Sequence, residues 1–237
     1  MKKITVYILA FFLCFSLSAC SKQVDQNDTL AFFDALHHTF QADSAHIDAT
    51  VQMDQDDPTA LHANIYFDQT NDLELSITTD LSAGKNTEKN FLNFYIKDGK
   101  TYLDSMGVKT QSVVEKIGLK KNSKLANFDP FLDMTDEELE KMFTSSRKEG
   151  NNYSFEIDKN ALSTVLDSYG SIKIDQATVD ATIENNIITQ LTLNAHMSQS
   201  FNNQSVDTSL KIAITVDEYD SLSSVPFPND LDTYQKE

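Results

Sequence analysis

Long stretches of alternating apolar and polar residues constrain this chain more than any other feature. In AHIDATVQM, residues 45–53, five apolar side chains fall at every second position and polar side chains fill the positions between them. The same alternation recurs at 61–67, 73–77, 177–183, 191–197 and 210–216. Successive side chains of a strand point to opposite faces, so this pattern is typical of antiparallel sheets with one apolar and one solvated face.

Two turns fix how neighbouring strands pair. In FYIKDGKTYL, Asp98-Gly99 is a preferred type I′ hairpin dipeptide, which predicts that Tyr95 pairs with Tyr102 and Phe94 with Leu103. A second two-residue turn, Asn185-Asn186, would mix the apolar and polar faces of its two strands. A one-residue bulge near Ile187 would restore Ala181 opposite Leu191, so we expect a bulge or an odd-length loop there.

Four helical segments separate these strands. The first is predicted to start at Asp28 as its N-cap and to carry an apolar stripe. A helical patch follows at 113–117, and Thr135 with Glu138 forms a capping box before a third helix. A fourth is predicted to end at Gly170. The apolar residues expected on these helices are Leu30, Phe33, Leu36 and Phe40, then Leu139, Met142 and Phe143, then Leu162, Val165, Leu166 and Tyr169.

The N-terminus has the layout of a secretory signal peptide. Lys2 and Lys3 precede an apolar run, and Leu17-Ser18-Ala19-Cys20 follows it. This tetrapeptide resembles the lipobox of bacterial lipoproteins, which implies cleavage of residues 1–19 and a diacylglycerol anchor on Cys20. An ordinary secretory signal with a chance cysteine is the alternative. A two-chain anchor attaches a protein stably to a membrane, so an extracytoplasmic, tethered location is expected.

The charge of the chain restricts its partners. The formal charge is −17, and loss of residues 1–19 removes two lysines and no acids, giving −19. Such a charge argues against nucleic acid as a partner and against direct docking on anionic lipid head groups.

Residues 20–29 are predicted to be the lipidated cysteine and a flexible tether, and residues 30–237 are predicted to form a single domain. IDATVQ at 47–52 and VDATIE at 179–184 reflect either a duplication or similar composition.

No recognisable catalytic motif occurs, so we expect no enzymatic activity and no cofactor. His46, His62 and Asp48 could bind a metal, but solvated strand histidines fit their spacing better, with His62 opposite about Val51. The DQDDP stretch at 54–58 has oxygen ligands for calcium but lacks the glycine and glutamate of an EF-hand loop, which favours a solvated turn.

The lipobox, the first amphipathic helix and the long antiparallel strands together resemble the LolA/LolB and LppX/LprG-like superfamily and the Gram-positive lipoproteins near it. YIKDGKTYLDSMG at 95–107 and FPNDLDTY at 227–234 are similar to motifs of those lipoproteins. The resemblance implies an α+β fold with a strongly curved antiparallel sheet, a half-barrel, whose concave face is covered by amphipathic helices. It also implies a cavity that holds acyl chains or lipoglycans, with no catalytic residue and no metal.

The expected function is therefore that of an envelope lipoprotein that binds a lipophilic ligand as a carrier, sensor or chaperone. The family has no lining motif, so the candidate cavity residues come from the alternation and the first helix, and they would equally suit a solid core. A solid-core protein that binds an envelope protein or the cell wall through its acidic face is the main alternative, and an enzyme with a carboxylate pair is a weaker one. The candidates are Phe33, Leu36, Ile47, Val51, Leu61, Ile65, Leu75 and Ile77.

Overall fold

The computed structural model describes residues 24–54, 58–166, 173–201 and 204–236, which form three α-helices and thirteen strands. The helices are α1 (Gln26–Phe40), α2 (Asp136–Leu139) and α3 (Lys159–Leu166). The strands are β1 (Ser44–Asp54), β2 (Thr59–Asp68), β3 (Glu74–Ala83), β4 (Asn86–Glu88), β5 (Leu92–Lys97), β6 (Lys100–Ser105), β7 (Val108–Val113), β8 (Phe143–Glu149), β9 (Asn152–Ile157), β10 (Lys173–Glu184), β11 (Ile187–Phe201), β12 (Gln204–Asp217) and β13 (Gln235–Lys236).

All thirteen strands belong to one open sheet. Its order is β13-β7-β6-β5-β3-β2-β1-β12-β11-β10-β9-β8, with β4 paired to β3 alone. Every pairing is antiparallel except that of β13 with β7. The first and last long strands, β1 and β12, lie side by side at the centre, where Ile47 pairs with Val216. The predicted large antiparallel sheet is therefore present, and it is unclosed.

The strand registers follow the alternating pattern and the turns. Ile47 pairs with Ile65, and Ile65 with Ile77, so the apolar residues of β1, β2 and β3 share one face, which we call the apolar face. At the β5–β6 hairpin, Tyr95 pairs with Tyr102 as predicted. Asp98 (φ 52°) and Gly99 (φ 72°) take the two left-handed positions that a type I′ turn requires.

The predicted bulge between β10 and β11 is confirmed, two positions from its expected place near Ile187. Ile183 pairs with Ile188 across the Asn185-Asn186 turn, and Ala181 pairs with Leu191. Thr182 pairs with Gln190, so Thr189 is the extra residue. The bulge keeps the apolar side chains of both strands on one face, which a regular ladder would not do.

Helix α1 begins earlier than predicted. Its N-cap is Asp25, whose carboxylate accepts hydrogen bonds from the backbone N–H of Asn27 at 2.9 Å and Asp28 at 3.4 Å, so Asp28 lies in the first turn and is not the cap. Residues 26–29, predicted to belong to the tether, are therefore helical. Asp25 itself is fixed because its N–H donates to Ser146 Oγ at 2.6 Å. Residues 1–23, which contain the predicted signal and Cys20, lie outside the described residues.

The capping box at Thr135 is confirmed, but the helix after it is short. Thr135 and Glu138 exchange the two hydrogen bonds of the box, yet α2 ends at Leu139 and a 3₁₀ turn covers Glu140–Met142. Phe143, predicted on this helix, instead begins β8, because its backbone pairs with Ile157. Helix α3 is described only to Leu166, so its predicted end at Gly170 lies outside the described residues.

Helix α1 packs on the apolar face of β8–β11 through an aromatic cluster. The Phe32 ring meets those of Phe33, Phe143 and Phe155 edge-on at 5.2–5.5 Å, and Phe143 stacks on Phe155 at 4.2 Å. All four side chains are buried. A separate cluster lies on the apolar face of β1–β5 and is covered by 3₁₀ turns and irregular backbone. Helix α1 thus packs on one part of the sheet, over β8–β11, and a concave face covered by amphipathic helices stays a prediction.

The C-terminal segment lies on the opposite face of the β5–β6 hairpin. Tyr234 contacts Tyr102 edge-on at 5.5 Å, and Phe227 lies 6.4 Å from Tyr95. Burial raises the pKa of Tyr234 above its usual value, and the phenol of Tyr95 beside it adds to the effect. Lys109 Nζ donates to Asp230 at 2.5 Å, which raises the pKa of the lysine. These contacts attach the end of the chain to β5, β6 and β7.

Candidate functional site

The apolar face of β3 and β5 carries a cavity of about 300 Å³ with a wholly apolar lining. Leu73 and Ile96 are 1% exposed and form part of its floor. Ile117 and Phe128 also line it and are 51% and 52% exposed, so they stand at its opening. We call this cavity the apolar pocket; its lining is Leu73, Leu75, Phe94, Ile96, Ile117, Leu119, Leu125 and Phe128.

Residues 114–128, which we call the covering segment, form the roof of the apolar pocket. Val114 is buried at one end, and its N–H donates to the Gly99 carbonyl at 3.2 Å. The 3₁₀ turn Val114–Ile117 ends at Gly118, whose φ of 79° only glycine adopts without strain. A second 3₁₀ turn, Leu125–Phe128, closes the other end. The roof is thus held at both ends by short-range turns and has few buried side chains of its own.

Gln69 connects the covering segment to the rest of the fold. Its side chain is 2% exposed, and its amide nitrogen donates to the carbonyls of Ala42 at 2.5 Å and Phe40 at 3.3 Å. Its amide oxygen accepts from the Leu125 N–H at 2.6 Å, and Lys124 Nζ donates to the Gln69 carbonyl. One buried side chain therefore joins the end of α1, the β2–β3 turn and the roof of the pocket.

The eight predicted cavity residues do not share one cavity. Leu75 lines the apolar pocket, and Ile47, Ile65 and Ile77 pack against the buried cluster around it. Phe33 and Leu36 belong to the aromatic cluster under α1. Val51 and Leu61 pair with each other across β1 and β2, half-buried, outside the clusters formed by the described residues. The alternation identifies the apolar face, but the covering elements decide which part of that face encloses space.

Sequence reasoning missed most of the lining. Phe94 and Ile96 could have been found, since they alternate with Tyr95 along β5 and lie on the same face as Leu75 and Ile77. The roof residues could not be recognised as lining: the helical patch predicted at 113–117 includes Ile117, but the rest of the covering segment has neither a helical nor a strand period. The missed lining residues are Leu73, Phe94, Ile96, Ile117, Leu119, Leu125 and Phe128.

Two further cavities have different chemistry. One of about 470 Å³ lies beside α1 and Phe33, where His37 Nδ1 is 3.2 Å from a carboxylate oxygen of buried Asp129. A larger one of about 760 Å³ spans the polar face at the ends of β1–β3 and β10–β12. Its lining includes a row of polar residues that are neighbours across the strands, with Gln52 paired to Lys211 and Lys211 to Asn194 in the strand register. Both linings mix apolar with charged or polar side chains, whereas that of the apolar pocket consists of apolar residues alone.

The strand histidines are paired with carboxylates. His46 Nδ1 lies 2.7 Å from Asp217, and its ring stacks on Tyr66 at 4.2 Å. His62 Nε2 lies 3.0 Å from Asp48. His62 is opposite Thr50, one position from the predicted partner. Among the residues that the structure describes, no three His, Cys, Asp or Glu side chains come together in a way that could hold a metal ion.

Glu74 is the carboxylic acid, within the described ranges, whose pKa lies clearly above its usual value. Burial at the start of β3 raises it most, the nearby Lys97 lowers it, and Asp98 and Asp68 raise it further. Its side chain lines none of the three cavities above. Residues 55–57 of the DQDDP stretch, for which a solvated turn is predicted, lie outside the described residues.

The solved structures that are similar to this chain include two weak likenesses. No family model and no curated protein matches the chain. The crystal structure of LprF from Mycobacterium bovis is similar with a TM-score of 0.44 and 11% identity, over 87% of this chain and 99% of that one. A porin-like protein from Bacteroides uniformis gives 0.24 and 9%, over 76% and 98%. At these scores, neither likeness bears on function.

A search of the described residues for a long apolar helix gave none that could cross a membrane.

Proposed function

We propose that this chain is an envelope lipoprotein, anchored through Cys20, that holds a lipophilic ligand such as an acyl chain in the apolar pocket and catalyses no reaction. The observation that carries the proposal is the pocket itself, which has eight apolar lining residues and an opening flanked by two half-exposed ones. Large apolar side chains exposed beside an apolar cavity are typical of ligand sites. The curved half-barrel and the role of carrier, sensor or chaperone are part of the same proposal.

Burial of the ligand would supply the affinity. Each methylene transferred from water to an apolar site contributes about 0.8 kcal/mol, which corresponds to a roughly fourfold gain in affinity. The cavity of about 300 Å³ lies at the small end of ligand pockets, which fits a single chain better than a multi-chain lipid. Affinity for fatty acids should therefore rise with chain length and then level off once the pocket is full.

The test uses residues 21–237, which retain every described helix and strand. Native mass spectrometry of protein from a lipid-containing bacterial host should show an acyl-chain adduct, and the emptied protein should bind the fluorescent fatty acid cis-parinaric acid. Ile117→Asp places a charge at the opening and should weaken binding at least tenfold, since a charge beside the chain must be desolvated. Val108→Asp is the matched control, because Val108 is 67% exposed and outside the lining.

An equal response of both variants, or a protein that stays free of lipid and binds no probe, would contradict the proposal. The polar cavity of about 760 Å³ would then favour the second candidate, a protein that binds a hydrophilic envelope partner. That candidate predicts that Lys211→Gln, in the centre of the polar row, weakens partner binding while Ile117→Asp has no effect on it.

A further inference from the structure

Positive charge is concentrated in one part of this acidic chain. Residues 97–124 contain seven lysines against Asp98, Asp104 and Glu115, a net charge of +4. The rest of the chain from Cys20 onward has 10 basic and 33 acidic residues, a net charge of −23. This basic region includes β6, β7 and most of the covering segment. The charge is therefore segregated onto the part of the molecule that roofs the apolar pocket.

Three of the seven lysines are free to meet a partner. Lys100, Lys116 and Lys120 are exposed, and the described residues offer them no ion pair. Among the others, Lys121 Nζ lies 2.6 Å from Asp72. Lys97 lies over the Phe227 ring, Lys109 pairs with Asp230, and Lys124 donates to the Gln69 carbonyl. Lys116 lies in the 3₁₀ turn that carries Ile117, Lys120 follows that turn, and Lys100 pairs with Val113, the residue before it.

Exposed apolar side chains lie among these lysines. Val113 pairs with Lys100 across β6 and β7 and is 45% exposed. Ile117 follows Lys116 directly and is 51% exposed, and Phe128 shares the pocket opening with it. These residues lie at the end of the sheet where the covering segment meets the β5–β6 turn, with Lys100 and Val113 on the face of Tyr102 and with Ile117 and Phe128 at the pocket opening. We call this surface the basic rim; it consists of Lys100, Val113, Lys116, Ile117, Lys120 and Phe128.

We propose that the basic rim docks on a membrane surface that contains anionic lipid. Lysines near such a surface are attracted to its head groups, and apolar side chains beside them enter the interface. Asp98 and Glu115 lie in the same region and oppose the attraction, but three free lysines outnumber them. Docking in this orientation would bring the pocket opening to the membrane. The significance of bringing the pocket opening to the membrane rests on the proposed function, whereas docking of the basic rim does not.

The experiment measures binding of residues 21–237, which lack the anchor, to sedimented vesicles. Vesicles of phosphatidylcholine with about one third phosphatidylglycerol should bind the protein, and pure phosphatidylcholine vesicles should bind it far less. Each lysine near the surface contributes about fivefold, so K100Q/K116Q/K120Q should lose roughly 100-fold in affinity. Binding should weaken when the salt concentration is raised from about 0.05 M to about 0.5 M, because the Debye length shortens and the lysines attract the head groups over a smaller distance.

The matched control is K85Q/K89Q/K159Q, which removes three exposed lysines outside the rim. This variant should bind as the unaltered protein does. Ile117→Ser and Phe128→Ser together should weaken binding at high phosphatidylglycerol content, and both sites are exposed enough to tolerate the change. Equal losses in the two lysine variants, or no dependence on phosphatidylglycerol, would overturn the docking proposal.

Failure of docking and failure of ligand binding are separated by a second readout. Binding of cis-parinaric acid without vesicles reports the pocket alone. Probe binding without phosphatidylglycerol-dependent docking overturns the docking proposal and leaves the ligand proposal standing. Docking that depends on the rim lysines, without probe binding, supports the docking proposal and contradicts the ligand proposal.

Discussion

Replacement of Gln69 by methionine tests whether one buried amide holds the roof of the apolar pocket. The side chain of Gln69 makes three hydrogen bonds, to the carbonyls of Ala42 and Phe40 and to the Leu125 N–H, at 2.5, 3.3 and 2.6 Å. Methionine has a similar length and volume but can replace none of them. The change therefore removes hydrogen bonds with little change in packing.

The expected cost follows from the burial of those groups. Each lost hydrogen bond contributes about 0.5–1.5 kcal/mol net, and a buried group left without a partner costs about 1–3 kcal/mol. The Ala42 carbonyl lies at a residue that is 1% exposed, so water cannot replace the amide there, whereas the Leu125 N–H becomes solvated if the roof moves. We expect Gln69→Met to lower the free energy of unfolding by about 3 kcal/mol.

Urea unfolding and amide hydrogen exchange measure the two consequences. The Leu125 amide should exchange faster in Gln69→Met, while amides in the β9–β10 ladder keep their relative protection. Gln190→Met is the control, because Gln190 lies exposed on β11 and its change should stay within about 0.5 kcal/mol. A loss below about 1 kcal/mol with unchanged exchange at Leu125 would refute the idea that Gln69 holds the roof.

Two further predictions concern the aromatic clusters. Phe32→Ala should lower the free energy of unfolding by about 3–5 kcal/mol in urea titrations, because Phe32 is 4% exposed and contacts three other rings; a loss under about 1 kcal/mol would contradict this. Burial raises the pKa of Tyr234 above its ordinary value of 10.0, so the unfolded chain ionises first and stability should fall as the pH rises above about 10. Tyr234→Phe should show a smaller fall over the same range, and identical pH profiles would argue against a buried Tyr234 phenol.

The sequence predicts the centre of this fold well because two local rules act together there. Alternation assigns each side chain of β1–β3 and β10–β12 to a face, and a slip of one residue would expose the whole apolar set. That constraint, with a two-residue turn, was sufficient to predict the bulge that places Ala181 opposite Leu191. Strand β8 was missed because FTSSRKE contains a single apolar residue, Phe143, and its pairing with β9 depends on tertiary contacts.

The candidate site was harder to predict because it too depends on tertiary contacts. Alternation identifies the apolar face but does not distinguish Leu75, under the roof, from Val51, outside it, since both have the same local pattern. What distinguishes them is the covering segment, which is positioned by Gln69 and Val114 through contacts with distant backbone. Such contacts leave no periodic signal in the sequence, so most lining residues could be recognised only in the folded chain.

Net charge is a poor guide to whether this protein can dock on a membrane surface. The formal charge of −17 argues against an anionic surface only if all charges act together. At physiological ionic strength the Debye length is about 8 Å, so a lysine at the membrane interacts mainly with its immediate surroundings. Around Ile117 these are Lys116, Lys120 and Glu115, a locally basic set. Acidic residues elsewhere keep the rest of the surface away from head groups, so segregation of charge would select the orientation in which the pocket opening faces the membrane.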